Sequence, residues 1–249
     1  MNKDISVIAV FSNAWKLVKG SKGPIWNVAI LILLIAATLE WASNRMIDIN
    51  LQHTHYFIRY ITLPILTNIL IAPFYAGAIM VAIHHTRGET INIKSGFQYF
   101  HRLIPILITV VIIGLVSSLL TMIINIPQIA YSLGKALPYF DLIALIFKLF
   151  VYSIFVLSVP MVIDKNYSPG EALATSVLIV KPHCLRVFAI FFTAYLCLFI
   201  ILTPTFLGLI LNNDTLMIIG SVINVFLLIW LLPFAFLLIG DIYHRLVAD

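Results

Sequence analysis

The chain has 249 residues, 62% of them apolar and 10% charged, with a net charge of +5 and a mean hydropathy of +1.08. A soluble domain typically carries about 45–50% apolar and about 25% charged residues. The composition therefore excludes a soluble globular enzyme, a disordered chain and a disulfide scaffold, and leaves a polytopic membrane protein of one compact bundle.

A spanning helix needs about 20 mostly apolar residues. Six windows meet that requirement: Pro24–Ser43, Ile58–Ile83, Leu103–Asn125, Phe140–Ile163, Leu185–Leu211 and Thr215–Gly240. The first follows a basic stretch, as a signal peptide would. It ends in Leu39-Glu40-Trp41-Ala42, however, a poor cleavage site, so it reads as a retained helix. Cys184 and Cys197 lie thirteen residues apart on one helix. That separation is about 20 Å along the axis, too far for a disulfide.

Lys and Arg in short loops set orientation. Lys3, Lys16, Lys19, Lys22, Arg87, Lys94, Arg102, Lys165, Lys181, Arg186 and Arg245 fall on one side, against Arg45, Arg59 and Lys135 on the other. Eleven against three predicts both termini in the cytoplasm. Trp26, Trp41, Tyr56, Tyr60, Tyr139 and Tyr243 stand near span ends, where aromatic residues collect at the headgroup level.

Each odd-numbered span follows a segment with an apolar stripe at helical spacing: Phe11/Trp15/Val18, Ile93/Phe97/Phe100 and Leu173/Val177/Val180. Corresponding positions are 82 and then 80 residues apart, and basic or histidine residues follow each stripe. Ser168-Pro169-Gly170-Glu171 carries an N-cap, a first-turn proline and a capping-box glutamate; Ser95-Gly96-Phe97-Gln98 offers a similar box. Each even-numbered span has one proline toward its cytoplasmic half, Pro73, Pro160 or Pro233, expected to kink the helix and to face the bundle interior. The expected fold is all-α: six transmembrane helices and three amphipathic interfacial helices, in three parallel repeats over about 5–88, 90–166 and 168–249. The interfacial helices would form a cytoplasmic collar, with Lys19, Lys22, Arg102 and Lys181 on anionic headgroups or on a partner protein.

The stretch Val159-Pro160-Met161-Val162-Ile163-Asp164, followed by Ser168-Pro169-Gly170-Glu171-Ala172-Leu173-Ala174-Thr175-Ser176, resembles uncharacterised six-helix bacterial inner-membrane proteins. These are related to the membrane domain of glycerophosphoryl diester phosphodiesterases. Pro73 with Ala76-Gly77, Arg87-Gly88-Glu89 and Asp241-Ile242-Tyr243-His244-Arg245 fit the same pattern. The resemblance implies a six-helix inner-membrane fold. It implies no phosphodiesterase activity, because the catalytic barrel of that enzyme is a separate soluble domain.

Candidate chemistry is sparse. Lys148 is the one cation inside a span; it either snorkels or makes a structural contact, or it serves a substrate or ion. Asn68, Asn125 and Asn224 either glue helices together or line an interior polar track with Lys148. Glu40, Asp141 and Asp241 read as solvated interface residues, and Asp164 as a cap or a salt link to a cytoplasmic arginine. His53/His55 and His84/His85 lack further ligands at convincing spacing, so no metal is expected. No catalytic set, cofactor motif or nucleic-acid partner is implied. The expected role is a non-enzymatic scaffold, assembly or envelope-maintenance protein; the alternative is a small transporter or channel for an amphipathic or lipid-like solute.

Overall fold

The computed structural model describes residues 5–46, 62–92, 94–130 and 138–247, apart from the side chains of 43–46, 127–130, 138 and 139. Helix α1 (Val7–Met46) is interrupted at Lys19 and Gly20, whose backbone leaves helical geometry; Gly20 takes φ 114°, a conformation that only glycine adopts easily. The interruption separates an N-terminal arm from the first apolar stretch. Helix α2 (Leu63–Thr86) is followed by a 3-10 segment, Ser95–Arg102, which feeds α3 (Leu103–Ala130). Then come α4 (Pro138–Phe155), α5 (Ser158–Asp164), α6 (Pro169–Val180), a 3-10 turn at Lys181–His183, α7 (Cys184–Ile210) and α8 (Asp214–Val247). No strand occurs among the described residues. Six helical stretches are long and apolar enough to cross a membrane, which makes the chain a multi-pass membrane protein.

The bundle closes as a ring in chain order: α1 packs on α2, α2 on α3, α3 on α4, α4 on α7, α7 on α8, and α8 back on α1, with α2 also touching α8. The core lies toward one end. Segments at or after the three prolines supply it: Ala76–Ile83 of α2, Ser158–Ile163 of α5 (which includes Pro160) and Leu237–Tyr243 of α8 are buried throughout. Pro73 and Pro233 sit inside helices that continue on both sides. At Pro160 the break is complete, α4 ending at Phe155 and α5 starting at Ser158. A helix broken at membrane depth must have its freed carbonyls satisfied by neighbours. Here the Ser176 hydroxyl of α6 donates to the Ile154 carbonyl at 2.7 Å.

Small residues let the backbones approach at this end. A Cβ built on Gly77 would stand 1.9 Å from the Gly96 carbonyl oxygen, and one on Gly240 would stand 3.0 Å from the Ala82 backbone. The 3-10 segment thus seats itself directly on α2.

The buried faces of the segments before the odd spans correct the expected stripes. In the arm of α1 the fully buried residues are Val10, Ala14 and Val18. Phe11 and Trp15 instead lay their rings on Phe234 and Trp230 of α8. In α6 the buried row is Ala172, Ser176 and Val180, one position before Leu173 and Val177. Both helices turn small side chains inward because only small groups permit close helix contact. The middle segment is 3-10 rather than α-helical; Phe97 and Phe100 pack on Phe74, while Ile93 lies outside the described residues.

The capping box at Ser168 forms as the sequence predicts. Glu171 N–H donates to Ser168 Oγ, and Ser168 N–H donates to the Glu171 carboxylate at 2.9 Å. The box expected at Ser95 does not form. That hydroxyl accepts from Asn92 N–H and donates to Asn92 Oδ1 instead, tying the loop before the 3-10 segment.

Candidate functional site

Two polar constellations stand at opposite ends of the bundle. The first is a clasp at the end of α2, α5 and α8. Arg87 donates from both terminal nitrogens to Asp164, at 2.9 and 2.8 Å, and Tyr243 Oη donates to Asp164 Oδ2 at 2.8 Å. The two-pronged match of guanidinium to carboxylate fixes direction as well as distance. The hydrogen bond to Asp164 holds the Arg87 guanidinium above its ordinary pKa. Asp164 therefore makes a salt link with an arginine, one of the two roles expected for it. Tyr243, expected at the headgroup level, is fully buried.

Around the clasp, Asp241 is corrected from solvated to buried. It is 1% exposed, accepts from Asn13 of the α1 arm and accepts from Arg245 Nε at 2.6 Å. His84 binds Glu89 and, at 2.8 Å, the Tyr99 hydroxyl; His85 donates to the Leu17 carbonyl at 3.0 Å. These histidines fasten the arm and the 3-10 segment to α2. Among the described residues no group of three potential metal ligands converges, and His53 and His55 lie outside them.

The four expected headgroup contacts divide. Lys19 and Lys181 are exposed. Lys22 stacks on the Trp230 ring, and Arg102 bonds the Asn166 side chain. The latter two are held by the protein itself.

The second constellation is a cavity of about 790 Å³ bounded by α2, α3, α4 and the end of α1. Pockets of roughly 300–1,000 Å³ hold small organic ligands. Each wall is one helical face. Helix α2 contributes Thr67, Asn68, Ile71, Ala72 and Tyr75; α3 contributes Ile113, Gly114, Ser117, Ser118 and Thr121; α4 contributes Asp141, Ala144, Leu145, Lys148, Leu149 and Tyr152, and α5 adds Val159. The spacing of three and four residues places every set on a single stripe. Gly114 makes room for Asn68, whose amide nitrogen would lie 2.8 Å from a Cβ there.

Lys148 and Asn68 thus come together in one cavity, whereas the other two predicted polar residues do not join them. Asn224 donates to Thr205 Oγ1 at 2.8 Å and joins α8 to α7. Asn125 donates to the Thr121 carbonyl of its own helix at 2.9 Å. Neither lines the cavity. Among the described residues the Lys148 ammonium and the Asn68 amide have no hydrogen bond or ion pair. Glu40 and Asp141 are exposed at the cavity end remote from the clasp.

Sequence reasoning passed over Ser117, Ser118 and Thr121 as lining residues, and Glu40 and Asp141 as part of the same site. A signal was present. Asp141 and Lys148 stand seven residues apart, two helical turns on one face, and the α3 hydroxyls recur at the same three- and four-residue spacing.

Compared with known proteins, the chain matches no family model, no curated protein and no solved structure.

Proposed function

We propose that this protein is a non-enzymatic binder or carrier of an amphipathic, lipid-like molecule, held in the cavity between α2, α3 and α4. The observation that carries this reading is Lys148, a cation inside a span that makes no direct hydrogen bond or ion pair among the described residues, is acted on by Asp141 through charge alone, and lines a cavity of about 790 Å³. A lysine at the centre of a span costs roughly 2.5–3.5 kcal/mol on insertion scales, and such residues mark substrate and ion sites. An apolar wall with a few convergent polar groups is the usual form of a small-molecule site.

In this reading the protein sits in a bacterial inner membrane with both termini cytoplasmic, as the asymmetry of Lys and Arg supports. The clasp end is then cytoplasmic and the cavity opens toward the opposite leaflet. The three helical pairs are taken as parallel repeats. Support comes from the inward triplets Val10/Ala14/Val18 and Ala172/Ser176/Val180, which keep the offset between the first and third stripes. The likeness to six-helix inner-membrane proteins belongs to the same proposal.

A scaffold or assembly role is the second reading, favoured by the apolar residues exposed beside basic ones at the clasp end. Ile8, Leu178 and Leu185 are 81%, 72% and 77% exposed, with Lys19 and Lys181 nearby in sequence. They suit contact with anionic membrane surface or with a partner protein.

Native mass spectrometry of the full chain, extracted in a neutral maltoside, tests the proposal. About one amphiphile per chain is expected to remain bound, and Ala144→Trp, which fills the cavity, is expected to lose it. Wild-type protein that emerges bare and takes up no added lipid would overturn the cavity reading. Recovery of a stoichiometric protein partner with an empty cavity would establish the second.

A further inference from the structure

The order of chemistry along the cavity wall narrows the ligand, on the reading that the cavity binds an amphiphile. At the end nearest the core the wall is mostly apolar, with Ile71, Ala72, Phe155 and Val159 beside the rings of Tyr75 and Tyr152. Next comes Lys148 with the Asn68 amide available on the neighbouring wall. Seven residues toward the helix start, about 10 Å along the axis, Asp141 stands on the same face of α4. Glu40, near the end of α1, lies at that end as well. Among the described residues, the order from the core outward is thus apolar, cationic, anionic.

A zwitterionic amphiphile has the complementary order: hydrocarbon tail, then phosphate or carboxylate, then ammonium. We infer that the cavity takes such a molecule, its tail on the apolar wall, its anionic group on Lys148 and Asn68, and its ammonium at Asp141 and Glu40. A purely anionic headgroup would leave the two carboxylates facing a like charge. A purely cationic one would meet them but leave Lys148 unpaired. All three side chains are exposed in the cavity mouth, where opposite charges in matching order favour the fully paired arrangement. A zwitterion without a tail would leave the apolar wall empty.

Binding of four probes to the full chain in neutral maltoside tests this: dodecylphosphocholine, dodecyl phosphate, dodecyltrimethylammonium and tail-less phosphocholine. Competition against the co-purifying species, read by native mass spectrometry, is expected to rank dodecylphosphocholine first by about tenfold over either singly charged probe, with tail-less phosphocholine not bound. Lys148→Gln is expected to move the preference to the cationic probe, and the pair Asp141→Asn with Glu40→Gln to move it to the anionic probe. Lys148→Arg should retain the wild-type order. If dodecyl phosphate binds wild type as well as dodecylphosphocholine does, or if the charge variants leave the ranking unchanged, the inference falls while the cavity reading stands. If no probe competes while the co-purifying species stays bound, the inference falls and the cavity reading stands; if wild type carries no amphiphile and takes up none, both fall. The wild-type ranking decides the matter even where a variant fails to fold.

Discussion

The two ends of this bundle are built from equally apolar helices and behave as different materials. Toward the clasp, α2, α5 and α8 bury every residue of Ala76–Ile83, Ser158–Ile163 and Leu237–Tyr243. Toward the other end, the same α8 buries only Gly220 and Asn224 before Pro233, and α2, α3 and α4 part around a cavity. Hydrophobicity cannot account for the contrast, because lipid is as apolar as a leucine side chain. Packing is set instead by where small residues and paired polar groups lie. The clasp end has Gly77 against Gly96, Gly240 against Ala82, and a carboxylate satisfied by two other helices. The cavity end has a lysine and an amide that make no hydrogen bond or ion pair among the described residues.

That contrast can be broken most severely at Gly77. Its Cβ would collide with backbone rather than with a movable side chain, so Gly77→Val should cost about 3 kcal/mol. Thermal unfolding in detergent would show the loss, and an unaltered midpoint would mean that the 3-10 segment does not seat on α2. Asp164→Ala leaves Arg87 and Tyr243 without their shared acceptor and should cost about 2 kcal/mol, less than for a fully enclosed pair because the guanidinium is 23% exposed. The double variant with Arg87→Ala should recover part of that loss, and strict additivity of the two would dissolve the clasp as a unit. Ser168→Ala removes one reciprocal cap of α6 and should cost about 1 kcal/mol, visible as faster hydrogen exchange in the first turn of that helix. At the cavity end, Lys148→Met is expected to leave the unfolding midpoint unchanged or slightly raised while weakening binding of amphiphiles that carry an anionic group. A marked destabilisation by that change would make the lysine a structural member like Asp164 and erase the difference between the ends.

Much of this was legible in the residues. Hydropathy placed α3 and α7 to within a residue of their starts, Leu103 and Cys184, because a run of apolar residues has few alternatives to a membrane helix. The Ser168 cap was readable because it depends on neighbours in sequence. The inward faces of the α1 arm and α6 were not. Aromatic rings draw attention in a sequence, but Ala14, Ala172 and Ser176 are what close contact demands. Asp241 was misjudged for a related reason: it stands near a chain end, and only the folded arm brings Asn13 over it. The cavity required knowing that α2, α3 and α4 share a face. Its polar stripes are spread over three segments, each unremarkable alone.

Arg87, Asp164 and Tyr243 come from the first, second and third helical pairs in turn. A chain made from its N-terminus presents the arginine first, the carboxylate 77 residues later and the tyrosine 79 residues after that. The second pair can therefore lock to the first before the third is complete, and the last helix closes the lock. The same three side chains that hold the finished bundle would mark, during synthesis, the moment at which its final helix has arrived.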